Sequence, residues 1–252
     1  DFYANQVART LKHKGKGNLV GFTISGEGLE NNEVLYELLS DTAWNSEAID
    51  VSSWLKKYSA NRYASDSKVL QAAWHDLHKS VYSSFVDHPQ FGWQILSLNK
   101  GRVYSDPKFT AAVQKFLSVA GEHENNANYT DDAVEMAALS LCLRAEEYFV
   151  LTQKAISIGN IKASKEAAAQ ANTLLLQADR LLESHSLNRL DRWIALARDH
   201  QGTKLEKDGY ETNARRIVTV WGPPVNDYAC RVWSGLIRDF YAPRVQAKLT
   251  SM

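Results

Sequence analysis

Residues 162–185 read KASKEAAAQANTLLLQADRLLESH. Ala167, Ala171, Leu174, Ala178, Leu181 and His185 recur at intervals of three and four, the spacing that aligns side chains on one face of an α-helix. The same period continues on both sides. Toward the N-terminus, Asp131 or Asp132 opens a long helix through about Ser157. Asp106-Pro107 places a capping carboxylate before a proline at the first helical position, starting a helix to Ala120. Asp66 caps a helix to Phe85 with Leu70, Ala73, Trp74, Leu77 and Val81 as its stripe, and residues 51–62 carry Trp54, Leu55 and Tyr58. Toward the C-terminus, helices are expected over 188–200, about 210–220 and 226–241. Breakers are scarce, with 13 glycines and 5 prolines in 252 residues. Residues 49–252 therefore read as one all-α domain without internal repeats.

The first 48 residues are different. Val7 and Leu11 mark a short helix over 3–13, which Gly15, Gly17 and Asn18 end. Leu19-Val20-Gly21-Phe22-Thr23-Ile24 is an apolar, β-branched run and reads as a strand. It stops at Ser25-Gly26-Glu27-Gly28, and helical spacing resumes from Asn32 to Trp44. Helix, strand, helix is one unit of a parallel α/β fold, and a single strand cannot make a sheet. With Asp1 rather than Met in first place, the sequence reads as a piece of a longer chain.

Composition narrows the function. Lys+Arg and Asp+Glu are both 29, so no basic excess exists to neutralise phosphates, and nucleic acid is not the expected partner. No apolar run approaches the ~20 residues that a membrane span needs. Cys142 and Cys230 make neither a disulfide framework nor a four-ligand zinc set, and both fit packing better than nucleophilic roles. His75 and His78 lie three apart on a helix, but no third ligand converges on them, so no metal site is expected.

Two features point to chemistry. Glu27 follows the C-terminal end of the only strand, between two glycines, where parallel α/β folds place catalytic groups. Position alone fits a solvated loop carboxylate better, and one carboxylate does not hydrolyse a glycoside without a partner. Of seven tryptophans, Trp54, Trp74 and Trp233 have core periodicity. Trp221 instead sits in Val220-Trp221-Gly222-Pro223-Pro224, where a helix breaks and a ring is free to face a pocket.

Two long stretches carry a family resemblance. The first is Gly26-Glu27-Gly28-Leu29-Glu30-Asn31-Asn32-Glu33-Val34-Leu35-Tyr36-Glu37-Leu38, with Trp44, Trp54 and Asn61-Arg62-Tyr63 after it. The second is Asn213-Ala214-Arg215-Arg216-Ile217-Val218-Thr219-Val220-Trp221-Gly222-Pro223, continued by Asp227-Tyr228-Ala229 and Phe240-Tyr241-Ala242-Pro243-Arg244. In content, order and separation these resemble the alpha-N-acetylglucosaminidases of glycoside hydrolase family 89.

The resemblance implies the end of a catalytic (β/α)8 barrel over residues 1–48 and a C-terminal all-α domain over 49–252. It implies an exo-acting retaining hydrolase of terminal alpha-linked N-acetylglucosamine in glycans, working without a cofactor. Glu27 then matches the nucleophile, and Trp221 and Tyr228 match aromatic residues of the sugar pocket. The acid/base glutamate would lie in the N-terminal and barrel domains that precede this stretch, so the piece alone is expected to be inactive. Such an enzyme would be secreted or periplasmic in a bacterium and lysosomal in an animal, the bacterial setting being preferred. The alternative is a non-catalytic helical carbohydrate-binding or scaffolding module.

Overall fold

The computed structural model describes residues 1–25, 32–83, 90–96, 106–222 and 227–250. Helices α1 (Phe2–Lys12) and α2 (Glu33–Thr42) precede α3 (Val51–Tyr63), α4 (Lys68–Lys79), the short α5 (Gly92–Ile95) and α6 (Pro107–Leu117). The long α7 (Ala127–Ser157) and α8 (Ile161–Leu182) follow, then α9 (Leu190–Arg198), α10 (Lys204–Ile217) and α11 (Ala242–Thr250). The mainly-α class read from the sequence is the class observed.

The centre is the antiparallel pair of α7 and α8, which pack along their length. On α7, the 31 residues of which span roughly 46 Å, Ala138, Cys142, Ala145, Phe149 and Thr152 are buried at alternating steps of four and three. On α8 the deepest residues are Ala171, Leu175, Ala178 and Leu182. The expected stripe is thus present, with Leu174 and Leu181 flanking the seam rather than filling it. Small residues let the two backbones approach closely. Gly159, at φ +70°, allows the reversal between the helices, and Asn160 Oδ1 then caps α8 by accepting from Ala163 N at 3.1 Å.

Several boundaries differ from the sequence reading, each because a polar side chain acts elsewhere. α7 starts at Ala127, before Asp131, because Asn126 Oδ1 accepts from Tyr129 N at 3.0 Å. Asp132 is then inside the helix and buried. Arg62 Nε and Nη2 each donate to it at 2.6 Å, as does the Tyr63 hydroxyl, which in turn accepts from Trp74 Nε1 at 3.1 Å. This network fastens α3 and α4 to α7.

Ser67, not Asp66, caps α4, which ends at Lys79 short of Phe85. Asp66 instead accepts from the side chains of Lys68 and Gln71. α10 starts at Lys204, where Thr203 and Glu206 form a reciprocal capping box.

Two expected elements are absent. Among the described residues there is no strand. Leu19–Ile24 instead runs irregularly beside α1 and α2, bordering a groove of about 740 Å³ with Val20 fully exposed. No described neighbouring segment supplies the ladder that a strand needs. The expected helix over 226–241 gives way, over 227–236, to irregular chain. Among the described residues an isolated bridge joins Ser234 of this stretch to Arg189, and Gly235 at φ +81° breaks the helical path. Helical structure resumes as a π turn over Ile237–Tyr241 that runs into α11. The buried Asp179 carboxylate of α8 seats this turn by accepting from Gly235 N at 2.8 Å and Arg238 N at 3.0 Å.

Truncating the seam should be costly. Leu175→Ala is expected to lose ~2–5 kcal/mol, while Leu151→Ala on the exposed face of α7 changes stability by about 0.5 kcal/mol or less. Denaturant unfolding of both variants checks this. A second expectation concerns buried His185, whose Nδ1 accepts from Leu187 N and Asn188 N, both at 3.0 Å. That geometry needs a neutral ring, and burial lowers its pKa, opposed by the charge of Asp131. Since the unfolded chain takes up the proton first, the stability from His185 is full above the ordinary value of 6.5 and declines as pH falls below it. The stability gap between the parent and His185→Gln should therefore shrink on acidification; a constant gap would contradict the assignment.

Candidate functional site

The site begins where α10 stops. Its last turn buries Ala214 and Val218, after which the chain folds back on itself. Trp221 N donates to Arg216 O at 2.8 Å, and Arg216 Nε donates to Trp221 O at 2.7 Å. This reciprocal pair holds Trp221 at φ +54°, a left-handed conformation unusual for a large side chain. Gly222 leaves room for the arginine, since a β-carbon there would lie 2.8 Å from Arg216 Nη2. Trp221 is 38% exposed, in contrast to buried Trp54, Trp74, Trp93 and Trp233. Trp193 is half-buried and spends its N–H on Ala214 O at 3.0 Å.

Tyr228 meets Trp221 edge to face, with ring centroids 5.7 Å apart and planes at 61°. The pair that the sequence proposed as sugar contacts is therefore adjacent in space. Beside it Asp227 is also left-handed, at φ +59°. Its carboxylate accepts two bonds from Arg244 Nη1 and Nη2, at 2.8 and 3.0 Å, and its carbonyl accepts from Gln90 Nε2 at 2.6 Å. Two such backbone positions cost on the order of 1–3 kcal/mol each and persist only where surrounding bonds over-determine them. They do so here. Residues 223–226, including Pro223 and Pro224, lie outside the described residues.

The other candidates fall elsewhere. Glu27 lies outside the described residues. His75 is exposed while His78, three residues on, is buried, and among the described residues no three His, Cys, Asp or Glu converge as metal ligands. Cys142 is in the α7 stripe as expected. Cys230 is on irregular chain rather than in the helix expected over 226–241, and its Sγ donates to Asp227 O at 2.9 Å. Burial raises both thiols, Cys230 to about 11, which keeps them protonated and unreactive.

One group was not singled out in the sequence. Glu135 borders a cavity of about 150 Å³ with Asn32, Tyr58, Tyr82 and Asp132, and partial desolvation there, with the charges of Glu33 and Asp132 nearby, raises its carboxyl above the usual range although the residue as a whole is exposed. Its only signal is its place one helical turn beyond Asp131 and Asp132.

An all-helical module that presents a rigidly held, half-exposed aromatic pair is the class of protein defined so far. Its family follows from sequence: the chain belongs to the alpha-N-acetylglucosaminidase (NAGLU) C-terminal domain family, whose model matches residues 54–252. Human alpha-N-acetylglucosaminidase is 27% identical over 237 residues, 90% of this chain and 32% of the relative. A family 89 glycoside hydrolase from Clostridium perfringens, solved with 2-acetamido-1,2-dideoxynojirmycin, superimposes with a TM-score of 0.87 at 25% identity, covering 99% of this chain and 31% of that one. The same enzyme has been solved as a variant with two glutamates changed to glutamine, in complex with its substrate GlcNAc-alpha-1,4-galactose; the TM-score is again 0.87, with 99% and 30% covered. The chain thus spans about a third of the length of these relatives. No described helix is long and apolar enough to cross a membrane.

The left-handed backbone at Trp221 makes a direct prediction. Trp221→Gly, which relieves the backbone strain, should be more stable than Trp221→Ala by about 1 kcal/mol, reversing the usual order of alanine and glycine. Thermal melting of the two variants measures it.

Proposed function

We propose that the chain is the C-terminal part of an exo-acting, retaining glycoside hydrolase that removes terminal alpha-linked N-acetylglucosamine from glycans. The observation that carries the reading is the Trp221–Tyr228 pair, half-exposed in a fold shared at 25% identity with an enzyme held on GlcNAc-alpha-1,4-galactose. In this reading Trp221 and Tyr228 grip the terminal sugar, the rings covering its apolar face and excluding water. The division into the end of a barrel over 1–48 and a helical domain over 49–252 belongs to the same proposal. So does a secreted or periplasmic setting in a bacterium, or a lysosomal one in an animal.

Glu27 is the proposed nucleophile. Its carboxylate attacks the anomeric carbon as the glycosidic bond breaks, and the departing oxygen takes a proton from a second carboxylic acid. That acid belongs to the part of the relatives that this chain does not span. Its conjugate base then removes a proton from water, which attacks the anomeric carbon and releases Glu27, leaving the configuration unchanged after two inversions. The substrate complex of the relative was obtained with two glutamates replaced, which supports a two-carboxylate scheme. The chemistry calls for no metal or organic cofactor.

Expressed within its full-length protein, the chain should support cleavage of an alpha-N-acetylglucosaminide to the alpha-anomer, followed by NMR. Glu27→Gln should lower kcat by ~10³-fold or more. Residues 1–252 alone should show no turnover. Net inversion, or an active Glu27→Gln variant, would overturn the assignment.

A further inference from the structure

We infer that Arg244 is a positioning residue for this site: through Asp227 it fixes the turn that seats Tyr228 against Trp221. The inference rests on the reading of those two rings as sugar contacts. Arg244 stands in the first turn of α11, and its guanidinium lies 4.7 Å from the Phe240 ring centroid, so the side chain is braced before it meets its partner. Both members of the ion pair are largely shielded, with side-chain exposures of 27% for Arg244 and 14% for Asp227. The contact is bidentate, which fixes the orientation of the carboxylate as well as its distance.

The backbone says why such a tie is needed. Asp227 must remain left-handed, and among the described residues its amide finds a long 3.4 Å bond to Val220 O. The stronger constraints come from Arg244 on the side chain and from Gln90 and Cys230 on the carbonyl. Tyr228 is the next residue, so a rotation at Asp227 redirects its ring at once. On the opposite side Trp221 is held independently by Arg216. Each ring of the pair is thus set by its own arginine: Arg216 acts on the backbone of Trp221, and Arg244 acts on the backbone of Tyr228 through Asp227. Lysine at 244 would keep the charge but lose the fork that orients the carboxylate.

A double-mutant cycle in the full-length protein tests this, reading kcat/KM on an alpha-N-acetylglucosaminide together with the melting temperature. Trp221→Ala should lower kcat/KM by roughly ten- to a hundredfold. Arg244→Gln should lower it by about tenfold in the parent but less than about twofold in a Tyr228→Ala background, because the ring that it orients is already lost. Arg244→Lys should fall between the parent and Arg244→Gln. If Arg244→Gln does not fold, Asp227→Asn, which tolerates left-handed backbone, takes its place in the cycle. Equal losses in both backgrounds would overturn the role of Arg244 while leaving the site reading intact. No loss with Trp221→Ala would overturn the site reading, and the inference with it.

Discussion

The seam between α7 and α8 is the constraint on which the remaining elements depend, because bonded links run from this long apolar surface toward both ends of the chain. Ala138, Cys142, Ala145 and Phe149 of α7 and Leu175, Ala178 and Leu182 of α8 form its buried core. The first third of the chain reaches it through the pairing of Arg62 and Tyr63 with Asp132. α2 is joined in turn through Trp54 Nε1, which donates to Asp41 at 2.6 Å. The C-terminal elements reach it through Asp179, whose buried carboxylate seats the turn leading to α11. Arg244 stands at the head of that helix and holds Asp227. A chain of contacts therefore runs from the apolar seam to the exposed aromatic pair. Removing one partner from a buried, hydrogen-bonded pair such as Arg62–Asp132 leaves an uncompensated charge, which makes these links stiff.

This arrangement explains which features were legible in the sequence. The α8 stripe was, because three- and four-residue spacing is a direct image of a helix face. The exposure of Trp221 was also legible, since Gly222-Pro223-Pro224 cannot continue a helix and a ring at such a break has no core to enter. Helix starts were harder to read. Asp131 and Asp132 resemble caps as well as Asn126 does, and only tertiary structure sends Asp132 to Arg62 instead. The start of α10 was readable in principle from Thr203 and Glu206, three residues apart. The irregular stretch before Gly235 was not, because the bridge to Arg189 and the amide bonds to Asp179 come from distant parts of the chain. The link between Arg244 and Asp227 was hidden for the same reason: 17 residues separate them. The strand reading of 19–24 was a propensity argument that already left the run without a sheet of its own, and among the described residues none pairs with it, since residue type does not supply a neighbouring strand.

The shared fold and the proposed site are different kinds of likeness. At 25–27% identity about three quarters of the aligned positions differ, while a TM-score of 0.87 over 99% of the chain shows that the helical framework is retained. The quoted sequence stretches split between the two roles. Arg62 and Tyr63 belong to the framework, bound to buried Asp132, whereas Trp221 and Tyr228 face outward on a strained turn. An outward-facing pair held at such backbone cost fits the proposed role in binding. In the proposed enzyme that ligand is the terminal sugar, and its nucleophile Glu27 comes from the opposite end of this chain.

The most direct measurement of this account is a crystal structure of the full-length protein with 2-acetamido-1,2-dideoxynojirmycin bound. The account predicts inhibitor carbons within ~4.5 Å of the Trp221 ring, Tyr228 on the same pocket wall, and the Glu27 carboxylate facing the carbon that corresponds to the anomeric centre. An inhibitor bound beside Glu27 with Trp221 remote from it, or bound elsewhere altogether, would contradict it.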